Sequence, residues 1–311
     1  MAVSTKAPLL IRLMSASVTA SLRAGNTIRE ILKTGDLRIK DKGIDDLQTE
    51  ADRSAQRCII GSLQHHFPKV TFVGEEDLSP DNNTEPFQEV DFCKDVLALS
   101  CPENLRNISD NEIIVWVDPL DGTKEFTQGL LDHVTVLIGI SVNGSAVAGV
   151  VYQPYFNYQS KISSEMGRCV YGVVGIGTFG LDPKPAPANE NIITTTRSHS
   201  DPKVTAAVNA CKPTEVIKVG GAGHKVLLVC EGTAHAYVFA SKGCKKWDTC
   251  GPEAVLRALG GNLTDLHGNP IQYQLNVPRP NLSGVVATLS NHSWYINKIP
   301  DDVKAAFPAI S

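Results

Sequence analysis

An apolar run that ends abruptly in two acids constrains this chain more than any other feature. Residues 113–117 read Ile-Ile-Val-Trp-Val, which is typical of a buried strand, and Asp118 and Asp121 follow directly. A carboxylate placed after such a run is itself partly buried, and burying an unpaired charge is costly. Two unpaired carboxylates about 4 Å apart repel by roughly 4 kcal/mol at an effective dielectric of about 20, so a divalent cation is their natural partner.

The residues around these acids predict an anion site beside the cation. Pro119 and Gly122 hold the two acids on a turn. Gly122 allows close approach of the backbone, and the N–H groups of Gly122 and Thr123 would open a short helix whose positive end faces an anion. The sequence therefore indicates divalent cations held against a phosphate.

Composition restricts the fold and the partners. The chain has 311 residues, of which 42% are hydrophobic and 20% charged. This suits a single domain with an ample core, which we expect to divide into an N-terminal α+β half at about 1–188 and a C-terminal α/β half at about 189–311. The net charge of −4 argues against nucleic acid or membrane as a partner, so an anionic substrate needs local binding devices.

The cysteines and the N-terminus bear on the compartment. The eight cysteines contain no C-x-x-C pair, which favours a reduced, cytoplasmic protein over a disulfide or zinc framework. No apolar run reaches the roughly 18 residues of a membrane helix. Three arginines precede the first acid, Glu30, as in a mitochondrial presequence, but apolar spacing up to Gly35 favours a structural first helix.

Further along the chain, strand and helix patterns alternate, which predicts α+β or α/β layers. Asn143-Gly144 predicts a hairpin, and the acidic stretch 79–111 is interpreted as a partly helical surface excursion or lid. Besides the first, we expect three helices, at about 49–66, from near His224 to Gly232, and at 252–259 behind Pro252.

Several acids lie at strand-to-helix junctions or on an apolar helix stripe, where layered folds gather their ligand sites. They are Asp52, Glu75, Asp118, Asp121 and Asp248. Three of them have ordinary alternatives when taken singly. Asp52 completes a capping box with Thr49, Glu75 suits a solvated strand end, and Asp248 could N-cap the last predicted helix.

Two rival motifs fit less well. Asp118 to Thr123 reads D-x-x-D-G-T, one residue longer than the D-x-D-G-T of haloacid-dehalogenase-type phosphatases, so the acid/base aspartate would be misplaced. Gly175-x-Gly177-x-x-Gly180 matches a dinucleotide fingerprint, but prolines rather than a helix follow it. This stretch is therefore interpreted as a β-turn region.

Two further segments look like anion-binding turns after strands. Gly220–Gly223 precede Lys225, a lysine in the first turn of a predicted helix, where it opposes the helix dipole. Arg197, Ser198 and His199 follow the Thr194–Thr196 strand. Together they indicate binding of a second phosphate or a nucleotide.

The ordered motifs resemble those of the lithium-sensitive, magnesium-dependent phosphomonoesterases, a superfamily that includes the inositol monophosphatases, fructose-1,6-bisphosphatase and the 3′-phosphoadenosine phosphatases. The resemblance spans nearly the whole chain. It is carried by Asp52, Gly74–Glu76, Asp118–Thr123 and Trp247-Asp248. Residues 194–200, 219–225, 243–250 and 267–270 are more similar to the bisphosphate nucleotidases than to the inositol monophosphatases.

The resemblance implies a layered αβαβα sandwich, two or three Mg²⁺ ions, inhibition by Li⁺ and a place in nucleotide metabolism and sulfur assimilation. It implies a set of metal ligands: Glu75, Asp118, the Leu120 carbonyl, Asp121 and Asp248. Asp52, Thr123 and Glu75 would be catalytic, and water would attack in line without a covalent intermediate. The implied substrate contacts are Gly122, Thr123, Ser198, His199, Gly221, Lys225 and Asp248.

The implied substrate is a small phosphorylated nucleotide. The expected reaction converts 3′-phosphoadenosine 5′-phosphate to AMP and phosphate, with 3′-phosphoadenylyl sulfate and inositol 1,4-bisphosphate as further substrates. An inositol phosphate phosphatase and a non-catalytic metal-binding relative remain as alternatives, and the sequence leaves the oligomeric state open.

Overall fold

Two β-sheets organise the protein in a computed structural model, which describes residues 6–43, 46–77, 91–160, 166–198 and 201–309. The strands are β1 (Lys40–Gly43), β2 (Asp46–Gln48), β3 (Thr71–Gly74), β4 (Ile113–Asp121), β5 (Thr135–Val142), β6 (Ser145–Gln153), β7 (Arg168–Val173), β8 (Gly177–Phe179), β9 (Ile192–Thr196), β10 (Glu215–Val219), β11 (Ala236–Phe239), β12 (Asn262–Thr264) and β13 (Val285–Thr288). The helices are α1 (Leu9–Thr34), α2 (Glu50–His66), α3 (Lys94–Leu97), α4 (Thr123–Thr127), α5 (Pro202–Ala210), α6 (Ala222–Cys230), α7 (Lys246–Ala258), α8 (His292–Lys298) and α9 (Asp301–Ala305).

The first sheet has six strands in the order β3-β4-β5-β6-β7-β8, and the second has five in the order β10-β9-β11-β13-β12. Pairing in the first sheet is antiparallel except between β3 and β4. In the second sheet β10, β9 and β11 are parallel. Strands β1 and β2 form a separate hairpin.

Three apolar clusters hold five layers together, because the middle cluster covers both sides of the layer formed by α6 and α7. Alternate residues of β4 face opposite sides of the first sheet: Val115 packs with α1 and α2, whereas Trp116 packs in the cluster that contains α6, α7 and one face of the second sheet. The other face of the second sheet packs on α5, α8 and α9. The order helix, sheet, helix, sheet, helix confirms the predicted αβαβα sandwich.

Helix α7 lies unusually close to the first sheet because glycines face each other there. A Cβ atom at Gly149 would lie 2.3 Å from the Gly251 carbonyl oxygen, and one at Gly251 would lie 2.9 Å from the Ile138 carbonyl oxygen. Only the hydrogen of a glycine fits at such distances. This contact fixes the height of α7, which carries Asp248, above β5 and β6.

The predicted first two helices are confirmed. Helix α1 ends at Gly35, whose φ of 74° provides the left-handed C-cap, and its inner face is buried. Helix α2 begins at the predicted capping box, in which the Thr49 side chain and Asp52 bond each other's backbone. Within the described ranges, none of the helices combines the length and the apolar character that crossing a bilayer requires.

The predicted hairpin and turn region are confirmed as well. Asn143 and Gly144 join β5 to β6 with φ angles of 49° and 81°. Gly175 lies in the turn from β7 to β8, Gly177 begins β8 and Gly180 directly follows it, so the glycine motif opens no nucleotide-binding helix.

One prediction needs correction. The helix expected at 252–259 begins at Lys246, because Pro252 lies inside α7 rather than at its start, and α8 and α9 follow it.

Part of the stretch 79–111 lies outside the described residues. Residues 91–111 contain α3 and two short 3-10 helices, as the partly helical interpretation expects. Helix α3 packs on α1, where Val96 is buried and Ser15 Oγ donates to the Cys93 carbonyl at 2.8 Å. A lid role for the stretch stays a prediction.

Candidate active site

A β-bulge in β4 turns Asp118 and Asp121 toward the same side of the sheet. Asp118 pairs with Leu137 and Asp121 pairs with Thr135, so β4 advances three residues while β5 advances two. In a regular strand, residues three apart point to opposite faces, and the extra residue of the bulge cancels that alternation. Both carboxylates therefore face the α6 and α7 layer, where Asp118 is 2% and Asp121 8% exposed.

Two further acids reach this pair from other elements. Glu75 follows β3, and Asp248 lies in the first turn of α7, where its carboxylate accepts the Lys245 N–H at 2.8 Å. Burial raises the pKa of Asp118 well above its usual range, and the charges of Glu75, Asp121 and Asp248 raise it further. Burial, Glu75 and Asp121 likewise raise the pKa of Asp248 to about 8. Four carboxylates thus converge on one cavity.

This oxygen-rich cluster suits a hard cation such as Mg²⁺. Lysine side chains offset part of its charge: Lys42 Nζ lies 3.3 Å and Lys245 Nζ 3.7 Å from Glu75 Oε1. In the part of the chain that the structure describes, no three acidic, histidine or cysteine side chains already surround a common point. The mutual repulsion of the carboxylates is the physical reason to expect a bound cation to stabilise them.

Asp121 also caps helix α6. Its Oδ1 accepts the Ala222 N–H at 2.9 Å, and its Oδ2 accepts the Gly223 N–H at 2.8 Å and the Thr135 hydroxyl at 2.7 Å. The glycine turn before α6 was predicted to hold a substrate anion. In the structure two N–H groups of this segment, those of Ala222 and Gly223, hold the carboxylate of Asp121, and this capping contact joins the first sheet to the helix layer. Sequence reasoning missed it because it depends on tertiary contact. Binding of a substrate anion by the segment stays a prediction.

Thr123 and Asp52 lie in contact, although 71 residues separate them. The Thr123 hydroxyl donates to Asp52 Oδ1 at 2.9 Å, with the Leu120 carbonyl oxygen as a second acceptor at 3.0 Å. Asp52 Oδ2 accepts the Thr49 N–H at 2.7 Å and the Thr49 hydroxyl at 2.5 Å. Asp52 is 1% exposed, and burial raises its pKa to about 7. A hydroxyl beside a carboxyl group poised near neutrality can exchange a proton with it.

Glu76 plays a different part from its neighbour Glu75. It is buried, Lys42 Nζ lies 3.0 Å from its Oε1, and Gln48 donates to its Oε2. Gln56 accepts its backbone N–H at 2.9 Å and donates to its carbonyl at 2.7 Å. These contacts fix the end of β3 against α2, which positions Glu75 at the cavity.

Glu75, Asp118, Asp121 and Asp248 share a cavity of about 340 Å³ with the predicted substrate residues that the structure describes. Asp52 is not among the residues that line it but contacts Thr123, which is. The cavity wall includes Glu75, Asp118, Leu120, Asp121, Gly122, Thr123, Ser198, Gly221, Lys225 and Asp248. His199 lies outside the described residues. The wall also includes residues that the sequence did not single out: Lys124, Tyr237, Phe239, Lys242, Cys244 and Pro280. Lys124, Lys242 and Cys244 stand beside or within a quoted motif. Tyr237, Phe239 and Pro280 carry no motif signal in the sequence.

Lys225 is buried on this wall. Burial lowers the pKa of its ammonium group, while the charge of Asp121 acts in the opposite direction. Its Nζ lies 5.3 Å from the centre of the Tyr237 ring. Lys225 thus places a buried amino group on the same cavity wall as the acid cluster.

Comparison with known proteins places these features in a family. A family model described as "Inositol monophosphatase family" matches residues 10–303. The chain is 49% identical to 3′(2′),5′-bisphosphate nucleotidase 1 of Rattus norvegicus over 298 residues, covering 96% of this chain and 97% of the relative. It is 38% identical to the protein of that name from Dictyostelium discoideum, covering 93% and 96%.

Solved structures share the fold at lower identity. The extragenic suppressor protein suhB from Bartonella henselae superposes with a TM-score of 0.68 at 20% identity, covering 93% of this chain and 98% of that one. CysQ from Bacteroides thetaiotaomicron superposes with a TM-score of 0.63 at 23% identity, covering 89% and 97%. The family match over most of the chain, together with the acid cluster and the layered fold, shows that this chain belongs to the inositol monophosphatase family.

Proposed function

We propose that this protein is a Mg²⁺-dependent phosphomonoesterase that removes the 3′-phosphate of 3′-phosphoadenosine 5′-phosphate and releases AMP and phosphate. The observation that carries the proposal is the 49% identity, along nearly the full chain, to relatives named 3′(2′),5′-bisphosphate nucleotidase. The convergence of the acids at one cavity with Thr123 and Lys225 supports it. The same arrangement would admit 3′-phosphoadenylyl sulfate and inositol 1,4-bisphosphate.

Glu75, Asp118, Asp121, Asp248 and the Leu120 carbonyl would hold two or three Mg²⁺ ions. When bound, Mg²⁺ neutralises charge on the phosphoryl group and makes water a stronger acid. Li⁺ would inhibit by taking one of these positions. The repulsion among the buried carboxylates supports this assignment, since it falls when a cation binds.

Thr123 and Asp52 would accept the proton of the attacking water in turn. As the water oxygen bonds to phosphorus, its proton passes to Thr123 Oγ1, and the hydroxyl proton of Thr123 passes to Asp52. The 2.9 Å contact between Thr123 and Asp52 supports this relay. Glu75 would support it from the cavity wall. The bond from phosphorus to the ribose 3′ oxygen breaks. That oxygen takes a proton from a water molecule as it leaves, and Asp52 returns the proton that it received to solvent.

The remaining wall would hold the substrate. The N–H groups of Gly122 and Thr123 would bind the scissile phosphate, with Asp248 nearby. Ser198, His199, Gly221 and Lys225 would bind the nucleotide and its retained 5′-phosphate. All eight cysteines are free thiols, which supports the proposal that the enzyme acts in the cytoplasm.

A phosphate-release assay tests this function. The purified protein is given 3′-phosphoadenosine 5′-phosphate, inositol 1,4-bisphosphate and inositol 1-phosphate in parallel, each with Mg²⁺, with EDTA, and with Mg²⁺ plus Li⁺. We expect Mg²⁺-dependent release that is fastest from the nucleotide and is lost in Asp118→Asn. Faster release from an inositol phosphate would make the protein an inositol phosphate phosphatase. No release from any substrate would favour a non-catalytic metal-binding protein.

A further inference from the structure

Arg197 lies between two residues of the cavity wall but contacts a different element. It directly follows β9, and both of its neighbours, Thr196 and Ser198, line the cavity. Its guanidinium group instead reaches helix α4 and the residue that ends it. Nη1 donates to Glu125 Oε1 at 3.2 Å, and Nη2 donates to Gln128 Oε1 at 2.7 Å. The planar fork of arginine suits such a two-point contact, which lysine cannot reproduce.

The Glu125 end of this contact is buried. The Glu125 side chain is 4% exposed, whereas that of Arg197 is 37% exposed. A buried carboxylate needs a partner, so this ion pair differs from an exposed one, which contributes little. Glu125 also lies two residues after Thr123, on the same short helix. The pair with Arg197 therefore joins the end of β9 to the helix that carries Thr123.

Gly220 closes the other side of Glu125. A Cβ atom at Gly220 would lie 2.1 Å from Glu125 Cδ, so the glycine leaves room for the carboxyl group, which any larger residue would displace. The Gly220 N–H donates to His133 Nδ1 at 3.1 Å, which holds this turn in place. Glu125 is thus enclosed between the end of β9 and the turn before α6. Both of these segments carry residues proposed to bind the nucleotide.

We infer that Arg197 is a positioning residue that holds the nucleotide-binding end of β9 against the helix carrying Thr123, through Glu125 and Gln128. The inference rests on the proposed function. Arg197 acts through its neighbours and does not touch the substrate. Without it, Thr123 keeps its hydrogen bonds to Asp52 and Leu120, but the end of β9 loses its contact with α4. Nucleotide binding should therefore weaken while the chemical step is preserved.

Steady-state kinetics with 3′-phosphoadenosine 5′-phosphate and Mg²⁺ test this. In Arg197→Met we expect KM to rise by up to about tenfold, with kcat within about threefold of wild type. Substrate binding must then order the end of β9, and the loss of a charge-assisted hydrogen bond sets the upper limit of that cost. Arg197→Lys should recover only part of the affinity. Arg57→Met is the matched control, because Arg57 is 41% exposed and pairs with Glu50 at 2.7 Å on α2, and its KM should not change.

A second variant separates positioning from the charge that Arg197→Met leaves unpaired. Arg197→Met combined with Glu125→Gln removes both charges, so the protein has no buried unpaired carboxylate at this position that could unfold it or repel the substrate. We expect KM to stay high in this double variant. Recovery of the wild-type KM would overturn the inference, as would an unchanged KM in Arg197→Met or a fall in kcat that follows a lowered Tm. Wild-type protein that releases no phosphate from the nucleotide would instead refute the proposed function, and the inference with it.

Discussion

Replacing Asp52 with Asn should remove a loss of stability that wild type shows as the pH rises through neutrality, and it should abolish activity. Asp52 is buried, and burial raises its folded-state pKa to about 7 from an ordinary value of 3.8. The folded state therefore binds this proton more tightly than the unfolded state does. Stability contributed by the protonated carboxyl is fully present below the unfolded pKa and is lost as pH rises through the folded pKa. The amide of the variant cannot ionise and loses nothing over that window.

The size of the effect follows from the pKa shift. One pKa unit corresponds to 1.36 kcal/mol, so a shift of about three units amounts to roughly 4 kcal/mol across the whole window. Between pH 5 and pH 8, the free energy of unfolding of wild type should fall by about 3 kcal/mol relative to Asp52→Asn. The hydrogen bonds that the amide loses change the offset between the two proteins but not this difference, because they are absent at both pH values.

Denaturant unfolding in EDTA at pH 5 and pH 8 measures how the difference in free energy of unfolding between the two proteins changes with pH. Both proteins keep the same acid cluster, so its titration cancels in the comparison. Glu112→Gln is the control. Hydrogen bonds from Ser109 lower the pKa of exposed Glu112 to about 2, so its titration lies below the tested range and its offset from wild type should not change. An offset for Asp52→Asn that is equal at the two pH values would refute a buried carboxyl titrating near neutrality, and retained turnover would refute its role as base.

Three other substitutions test separate parts of the structure. Asp118→Asn should abolish Mg²⁺-dependent turnover. It should also raise Tm in EDTA, because one of four converging charges is removed. Thermal unfolding with and without Mg²⁺ should show that added Mg²⁺ no longer stabilises the variant. Thr123→Val should lower kcat by about 10²- to 10⁴-fold with a native circular dichroism spectrum, and near-normal kcat would contradict the relay. Gly251→Ala should cost about 1–3 kcal/mol in denaturant unfolding, because its Cβ would meet the Ile138 carbonyl at 2.9 Å. Its control is Gly61→Ala on the exposed side of α2, where no atom lies within 4 Å of the added Cβ. This variant should raise the free energy of unfolding by up to about 1 kcal/mol.

Local signals explain which elements could be predicted from the sequence. Helices α1 and α2 combine apolar spacing with a capping residue. Gly35 marks the end of α1 and Thr49 marks the start of α2, so the sequence predicts both of these bounds. Asn143-Gly144 sets the hairpin by its backbone preference alone. The start of α7 was missed because Pro252 suggests a first turn, whereas the cap lies seven residues earlier, at Lys245. Helix α5 was overlooked although Asp201 caps it just before Pro202, a readable start signal.

The sequence predicts many of the residues that line the site but not how they are arranged in space. The motif supplies Asp118 and Asp121, yet only the bulge, defined by pairing with β5, turns both to one face. The role of Asp121 as the cap of α6 and the contact of Arg197 with α4 depend on packing between distant segments, which no local pattern encodes. The division of the chain near residue 188 and the roles assigned to the site residues stay predictions.

A crystal structure of the wild-type protein grown with Mn²⁺ and inorganic phosphate, with anomalous scattering recorded for the metal, tests the central claim most directly. Convergence of the four acids at one cation site predicts anomalous peaks bonded to Asp118 and Asp121 and shared with Glu75 or Asp248, with phosphate against the N–H groups of Gly122 and Thr123. A cavity without metal, or Mn²⁺ bound only elsewhere on the molecule, would contradict the account.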